Sequence, residues 1–192
     1  MKIWNVLLVF WLGMATGLHA DFDAASYPPY ETCALCHGLF GQSRLDKFPH
    51  LAGQKPDYIQ AQLDAFLAGT RINDGGQMSS IVTELKPEDF AVVVAWFSQQ
   101  DSPAPSHPLQ GEAGKTLVEA AGCLDCHSRN GDKTVPYLSA QHAGYLAKQM
   151  QDFREGRRTH SDAAALHQSL LTDLENGIDD IAAYFASVER LK

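Results

Sequence analysis

The chain has 192 residues, 45% of them apolar, a formal charge of −8 at neutral pH and four cysteines. An acidic balance of this size argues against nucleic acid or an anionic membrane surface as a partner. It fits docking to a basic patch on another protein, although a merely solvated acidic surface is the plainer reading.

From the N-terminus, Lys2 and the apolar run from Ile3 to Leu18 read as a secretory signal, with cleavage expected after Ala20. Leu18 is larger than the usual residue three before a cut, so an uncleaved anchor is the rival reading. The run is shorter than the roughly 20 residues a spanning helix needs, which favours cleavage. Either way the bulk of the chain is exported.

Residues 21–100 form the first expected domain. Pro28-Pro29 keeps a helix interior out of the stretch before the first pentapeptide, Cys33-Ala34-Leu35-Cys36-His37. Ile59, Leu63, Phe66 and Leu67 fall on one face of a helix that Gly69 is placed to end. Pro87 sits where the first turn of the next helix starts, with Glu88 and Asp89 near its positive end. Phe90, Val93, Val94 and Phe97 make its buried stripe. Three prolines within residues 101–108 read as a stiff linker.

Residues 109–192 form the second domain. A helix from Gly111 to Ala121 leads into Cys123-Leu124-Asp125-Cys126-His127. Leu146, Met150 and Phe153 repeat the first stripe, and Ile178, Ile181, Ala182 and Phe185 the second. No run shows sustained strand alternation, so the expected class is all-α.

Both pentapeptides are Cys-x-x-Cys-His, the spacing of covalent haem attachment. Thiols one helical turn apart reach the two vinyl groups of one porphyrin, and the next residue places an imidazole under the iron. Cys33, Cys36, Cys123 and Cys126 are thus expected to hold two haem c groups, with His37 and His127 as proximal ligands. A zinc ribbon wants its pairs about 15–20 residues apart, and a thioredoxin-like pair has no need of the histidine. Disulfides between residues three apart would staple no long loop. Domains of about 80 residues bury a limited core, so apo-protein is expected to fold poorly.

The halves repeat. Pro49-His50-Leu51-Ala52-Gly53-Gln54 matches Pro136-Tyr137-Leu138-Ser139-Ala140-Gln141. The stretch from Tyr58 to Gly69 matches that from Tyr145 to Gly156, Arg71 matches Arg158, and Ala95-Trp96-Phe97 matches Ala183-Tyr184-Phe185. The sixth iron ligand is expected to be Met or a second His. In the first half Met78 follows a glycine-bearing loop that lets backbone approach a haem. In the second, Met150 occupies the place of Leu63 and reads as core packing. Aligning backwards from Leu85 and Leu174 lays His167 over Met78 without a gap. His167 is therefore the expected ligand, His160 its rival, and an open five-coordinate iron the third reading. His50 and His142 read as shaping the haem pocket or facing solvent, His19 lies in the signal and His107 in the linker.

On these residues the chain resembles the cytochrome c4 family, periplasmic dihaem proteins built from two class I cytochrome c domains. The resemblance implies two domains, each wrapped around one covalent haem, related by a pseudo-twofold with haem propionates close across the interface. It implies an electron carrier, not an enzyme, serving protein redox partners: a membrane complex, a terminal oxidase or a soluble oxidoreductase. Contact with the membrane periphery is compatible with that role. The chain departs from the family in lacking the second methionine and a regular helix before the first motif. A bis-histidine iron sits lower in potential than a His/Met iron, so electrons are expected to enter at the second haem and leave from the first. The rivals are a haem enzyme with a labile or open second site, peroxidase-like or acting on a small sulfur compound, and a cytochrome subunit of a larger redox complex.

Overall fold

The computed structural model describes residues 27–105, 112–174 and 176–190. The expected signal with its cleavage site, His19 and His107 lie outside the described residues. Among the described residues every regular element is a helix.

The first helix, α1 (Tyr30–His37), starts directly after the proline pair and contains the whole first pentapeptide. Pro29 sits at its N-cap and Glu31 lies in its first turn, where a proline costs no hydrogen bond and a carboxylate meets the positive helix end. Next, α2 (Pro56–Leu67) opens on a proline and buries Ile59, Leu63 and Phe66. Leu67, expected on the same buried stripe, is instead 48% exposed. It is the last residue of α2, where the chain turns away through Gly69 at a φ of 66°. The short α3 (Gln77–Val82) follows. Then α4 (Asp89–Ser98) buries Phe90, Val93, Val94 and Phe97, as the stripe required. It begins two residues beyond Pro87, which lies in the preceding turn instead of the first helical turn.

The second half runs α5 (Glu112–Ala120), α6 (Cys123–Cys126), α7 (Ala143–Arg154), α8 (Ala164–Asp173) and α9 (Ile178–Ser187). The packing of the first half recurs: α2 lies against α3 and α4, and α7 against α8 and α9. Phe97 and Phe185, equivalent in the repeat, are 0% and 1% exposed. Burying such a ring contributes about 1.5–3 kcal/mol. Each also anchors a loop, since Phe97 accepts from the Gly53 N–H at 2.9 Å and Phe185 from the Ala140 N–H at 2.8 Å. Met150 packs at the edge of the second core, as expected.

The halves differ in front of their pentapeptides. In the second, α5 packs on α9. In the first, α1 itself rests on α4, through Tyr30 stacked on Trp96 at 4.0 Å.

Candidate haem sites and the contact between them

Each pentapeptide is helical across its cysteines, which sets the two thiols about one turn apart. None of the four is joined in a disulfide. Burial pushes Cys33 up to about 11 and also raises Cys123. A thiol held protonated in this way makes a poor redox nucleophile.

The histidines after the cysteines are held alike. Nδ1 of His37 lies 2.9 Å from the Pro49 carbonyl, and Nδ1 of His127 lies 2.9 Å from the Pro136 carbonyl. Those prolines are equivalent in the repeat. A carbonyl only accepts, so Nδ1 carries the proton and Nε2 keeps a free lone pair. Burial lowers His37 and takes His127 down to about 4, so both rings are neutral at physiological pH. A neutral imidazole whose second nitrogen is tied to a carbonyl is how proteins orient a metal ligand.

In the first half Met78 sits near the start of α3 and packs beside the core. Asp74 accepts from the Gly76 N–H at 3.0 Å and the Met78 N–H at 2.6 Å. In the second half His167 lies on α8, with Nδ1 2.8 Å from the Ala163 carbonyl. Its ring centre is 5.9 Å from that of His127, at an interplanar angle of 60°. Imidazole nitrogens bind a metal at about 2.0–2.1 Å, so two rings on opposite sides of one ion stand about 6 Å apart, centre to centre. Phe153 stacks on His167 at 4.6 Å, so this residue of the expected core stripe serves the site instead. His160 points elsewhere, its Nε2 lying 3.1 Å from Gln62 Oε1 in the first half.

Between the halves the contacts are reciprocal. The Gln54 amide accepts from the Tyr137 N–H at 2.9 Å and donates to the Tyr137 carbonyl at 3.0 Å. Gln141 does the same with His50, at 2.7 and 3.0 Å. Arg71 donates to Gln62 at 2.7 Å and to Gln149 at 3.1 Å. Arg158 donates to the same pair, at 3.2 and 2.8 Å respectively. Each guanidinium also covers a ring of its own half, Arg71 over Phe66 and Arg158 over Phe153. Asn73 reaches Gln149 at 3.0 Å, and its repeat equivalent, His160, reaches Gln62. This pseudo-twofold pairing assigns His160 to the interface.

His50 and His142, expected at a haem pocket or in solvent, stack on each other across the halves at 3.9 Å. Both lie at Gln141, since His50 is the residue it pairs with and the His142 N–H donates to its side chain at 3.0 Å. Burial first, and then neighbouring His142, takes His50 down to about 4. Sequence reasoning missed Arg190, which is 4% exposed. It donates to Ala52 O at 2.7 Å and to Ser139 O at 3.1 and 3.2 Å, bridging the halves. Nothing in the sequence around it signals that reach.

The donor set fits two haems: two thiol pairs, two neutral imidazoles with a free Nε2, and Met78 and His167 as further ligand-type side chains. The buried Nε–H of Arg158 has no acceptor among the described residues, and a porphyrin propionate is an acceptor of matching charge.

Residues 111–189 match the family model "Cytochrome c". The chain is 35% identical to cytochrome c4 of Pseudomonas aeruginosa, over 97% of each protein. It is 27% identical to a thiosulfate dehydrogenase electron acceptor of Stutzerimonas stutzeri, over 91% of this chain and 87% of that one. The structure of cytochrome c4 from Acidithiobacillus ferrooxidans superposes with a TM-score of 0.71 at 25% identity, covering 82% of this chain and 99% of that one.

Proposed function

Because the chain belongs to the cytochrome c4 family, we propose that it is a periplasmic electron shuttle with His37 and Met78 on one haem iron and His127 and His167 on the other. That it is a dihaem c-type cytochrome of electron transfer, with two covalent haem c groups, follows from family and fold together. Residues 1–20 are its signal, 21–100 and 109–192 its two domains, and 101–108 the linker between them. Among the described residues no helix is long and apolar enough to cross a membrane.

The observation that supports the ligand assignment best is the 5.9 Å separation of His127 and His167, with the Nδ1 of each tied to a carbonyl. When bound, each haem supplies a one-electron iron couple whose potential its axial ligands tune. The chain's own residues do the rest. The Pro49 and Pro136 carbonyls orient the two proximal rings, and Phe153 fixes the plane of His167. A methionine ligand raises the potential relative to histidine, so the two sites differ and the molecule has an inbuilt downhill direction, from the second haem to the first. The acidic surface suits a basic docking face on a redox protein. A thiosulfate dehydrogenase electron acceptor lies among the relatives, which makes a sulfur-compound dehydrogenase one class of donor.

Visible and EPR spectra of the holoprotein test this. The expected result is two low-spin haems, of which one shows the weak methionine–iron band at the red end. A high-spin signal, or a spectral shift of the second haem on adding cyanide, would favour the enzyme reading. In the His167→Met variant a second methionine–iron band is expected. A variant with a single such band would remove the assignment of His167.

A further inference from the structure

The glutamine and arginine pairs across the contact are reciprocal, but the contact at Asp152 is not. Asp152 lies on α7 and is 1% exposed, and its repeat equivalent is Ala65. Its carboxylate accepts from Asn73 Nδ2 of the first half at 2.7 Å, from Lys148 Nζ at 2.5 Å and from Arg157 Nε at 2.9 Å. Lys148 Nζ also donates to the Asn73 carbonyl at 2.7 Å, and its own equivalent is Ala61. The second half therefore grips both ends of Asn73, and the first half has no carboxylate or amine at the matching positions to grip back.

Asn73 is the residue before Asp74, whose carboxylate accepts from the Met78 N–H. Between them Gly75 and Gly76 have φ of 73° and 85°. A Cβ built on either would meet nothing within 4 Å, so packing does not hold this loop. Glycine is conformationally permissive, so sterics alone do not fix this backbone. The position of Met78 is then set from its upstream side by Asn73 and Asp74.

We propose that Asp152 is a positioning residue for the first haem: from the second domain it clamps Asn73 and so holds the loop that presents Met78 to the iron. This rests on the reading of Met78 as sixth ligand. It makes the ligation of one haem depend on the docking of the domain that carries the other. The coupling is unequal, because the first domain holds the loop before His167 through the His160–Gln62 contact and with no carboxylate at the position equivalent to Asp152.

The test uses the holoprotein in wild-type, Asp152→Ala, Asp152→Asn, Asn73→Ala, Met78→Ala and Arg190→Ala forms. Three quantities are read: the methionine–iron band, the potential of the first haem, and the rate at which added imidazole replaces the methionine. In Asp152→Ala the expected changes are a weaker band, a lower first potential and an imidazole rate raised about tenfold, the size expected for losing a charge-assisted hydrogen bond. Asp152→Asn keeps an acceptor for Asn73 and is expected to fall between. Asn73→Ala reproduces the effect from the other side, and combining it with Asp152→Ala adds little, since both remove one contact. Arg190→Ala loosens the same interface away from Asn73 and leaves the band in place. If wild type lacks the band, or Met78→Ala keeps it, the ligand reading fails and the inference with it. A band and potential unchanged in Asp152→Ala overturn the inference alone. So does an equal effect in Arg190→Ala, which would mark a general loosening.

Discussion

At Ala140 the backbone has a φ of 53°, the one positive value outside glycine among the described residues. The first half uses Gly53 at this place, with a φ of 62°. In both halves the amide there donates to the final helix, so the turn is demanded by the fold and not by the residue. An L-residue in this region costs about 1–2 kcal/mol, while glycine loses about 0.5–1 kcal/mol more backbone entropy on folding. Ala140→Gly is expected to stabilise the holoprotein by about 0.5 kcal/mol, read as a higher denaturation midpoint at unchanged slope. The histidines proposed as proximal ligands make a similar point. The pentapeptides name His37 and His127, but the tautomer that frees Nε2 comes from the Pro49 and Pro136 carbonyls, 12 and 9 residues away. Only the folded loop brings those carbonyls to the rings.

Among the helices, α5 and α9 approach closely because Gly114 has no side chain. A Cβ there would meet the Asp180 carbonyl oxygen at 2.1 Å and Tyr184 Cβ at 2.8 Å. Backbone cannot give way as a side-chain tip does, so Gly114→Ala must push the helices apart, at about 1–3 kcal/mol. A lower melting temperature is expected, with the methionine–iron band of the first haem unaltered. In the first half the Tyr30–Trp96 stack holds α1 on α4, and Trp96 Nε1 also donates to Leu39 O at 2.7 Å. The helix stripes were legible because a 3.6-residue period is a local property of the chain. Leu67 and Phe153 satisfy that period and still escaped the core. One lies at a helix end, and the other is recruited by His167 and Arg158.

Across the whole molecule, the buried carboxylate at Asp152 gives the interface an acid limit. Its own burial would raise it, yet hydrogen bonds from Lys148, Asn73 and Arg157 outweigh that and hold it below its ordinary 3.8. A carboxyl lowered by folding stabilises fully above its unfolded value, and that contribution is lost as pH falls through the folded one. The stability of the docked halves is thus expected to drop in acid below about pH 3.8, and Asp152→Ala to lack that step. Thermal melts of both proteins across pH 2–6 check this. Spacing along the chain was enough to read four cysteines and two histidines in local register, helices ended by glycine, and a repeat that lays His167 over Met78. Folding was needed to bring together residues such as His50 and Gln141, 91 positions apart, and to show the contacts of His160, Arg190 and Asp152. No period links such residues. Their pairing depends on two folded surfaces coming into contact, where desolvation makes an unpaired polar group costly.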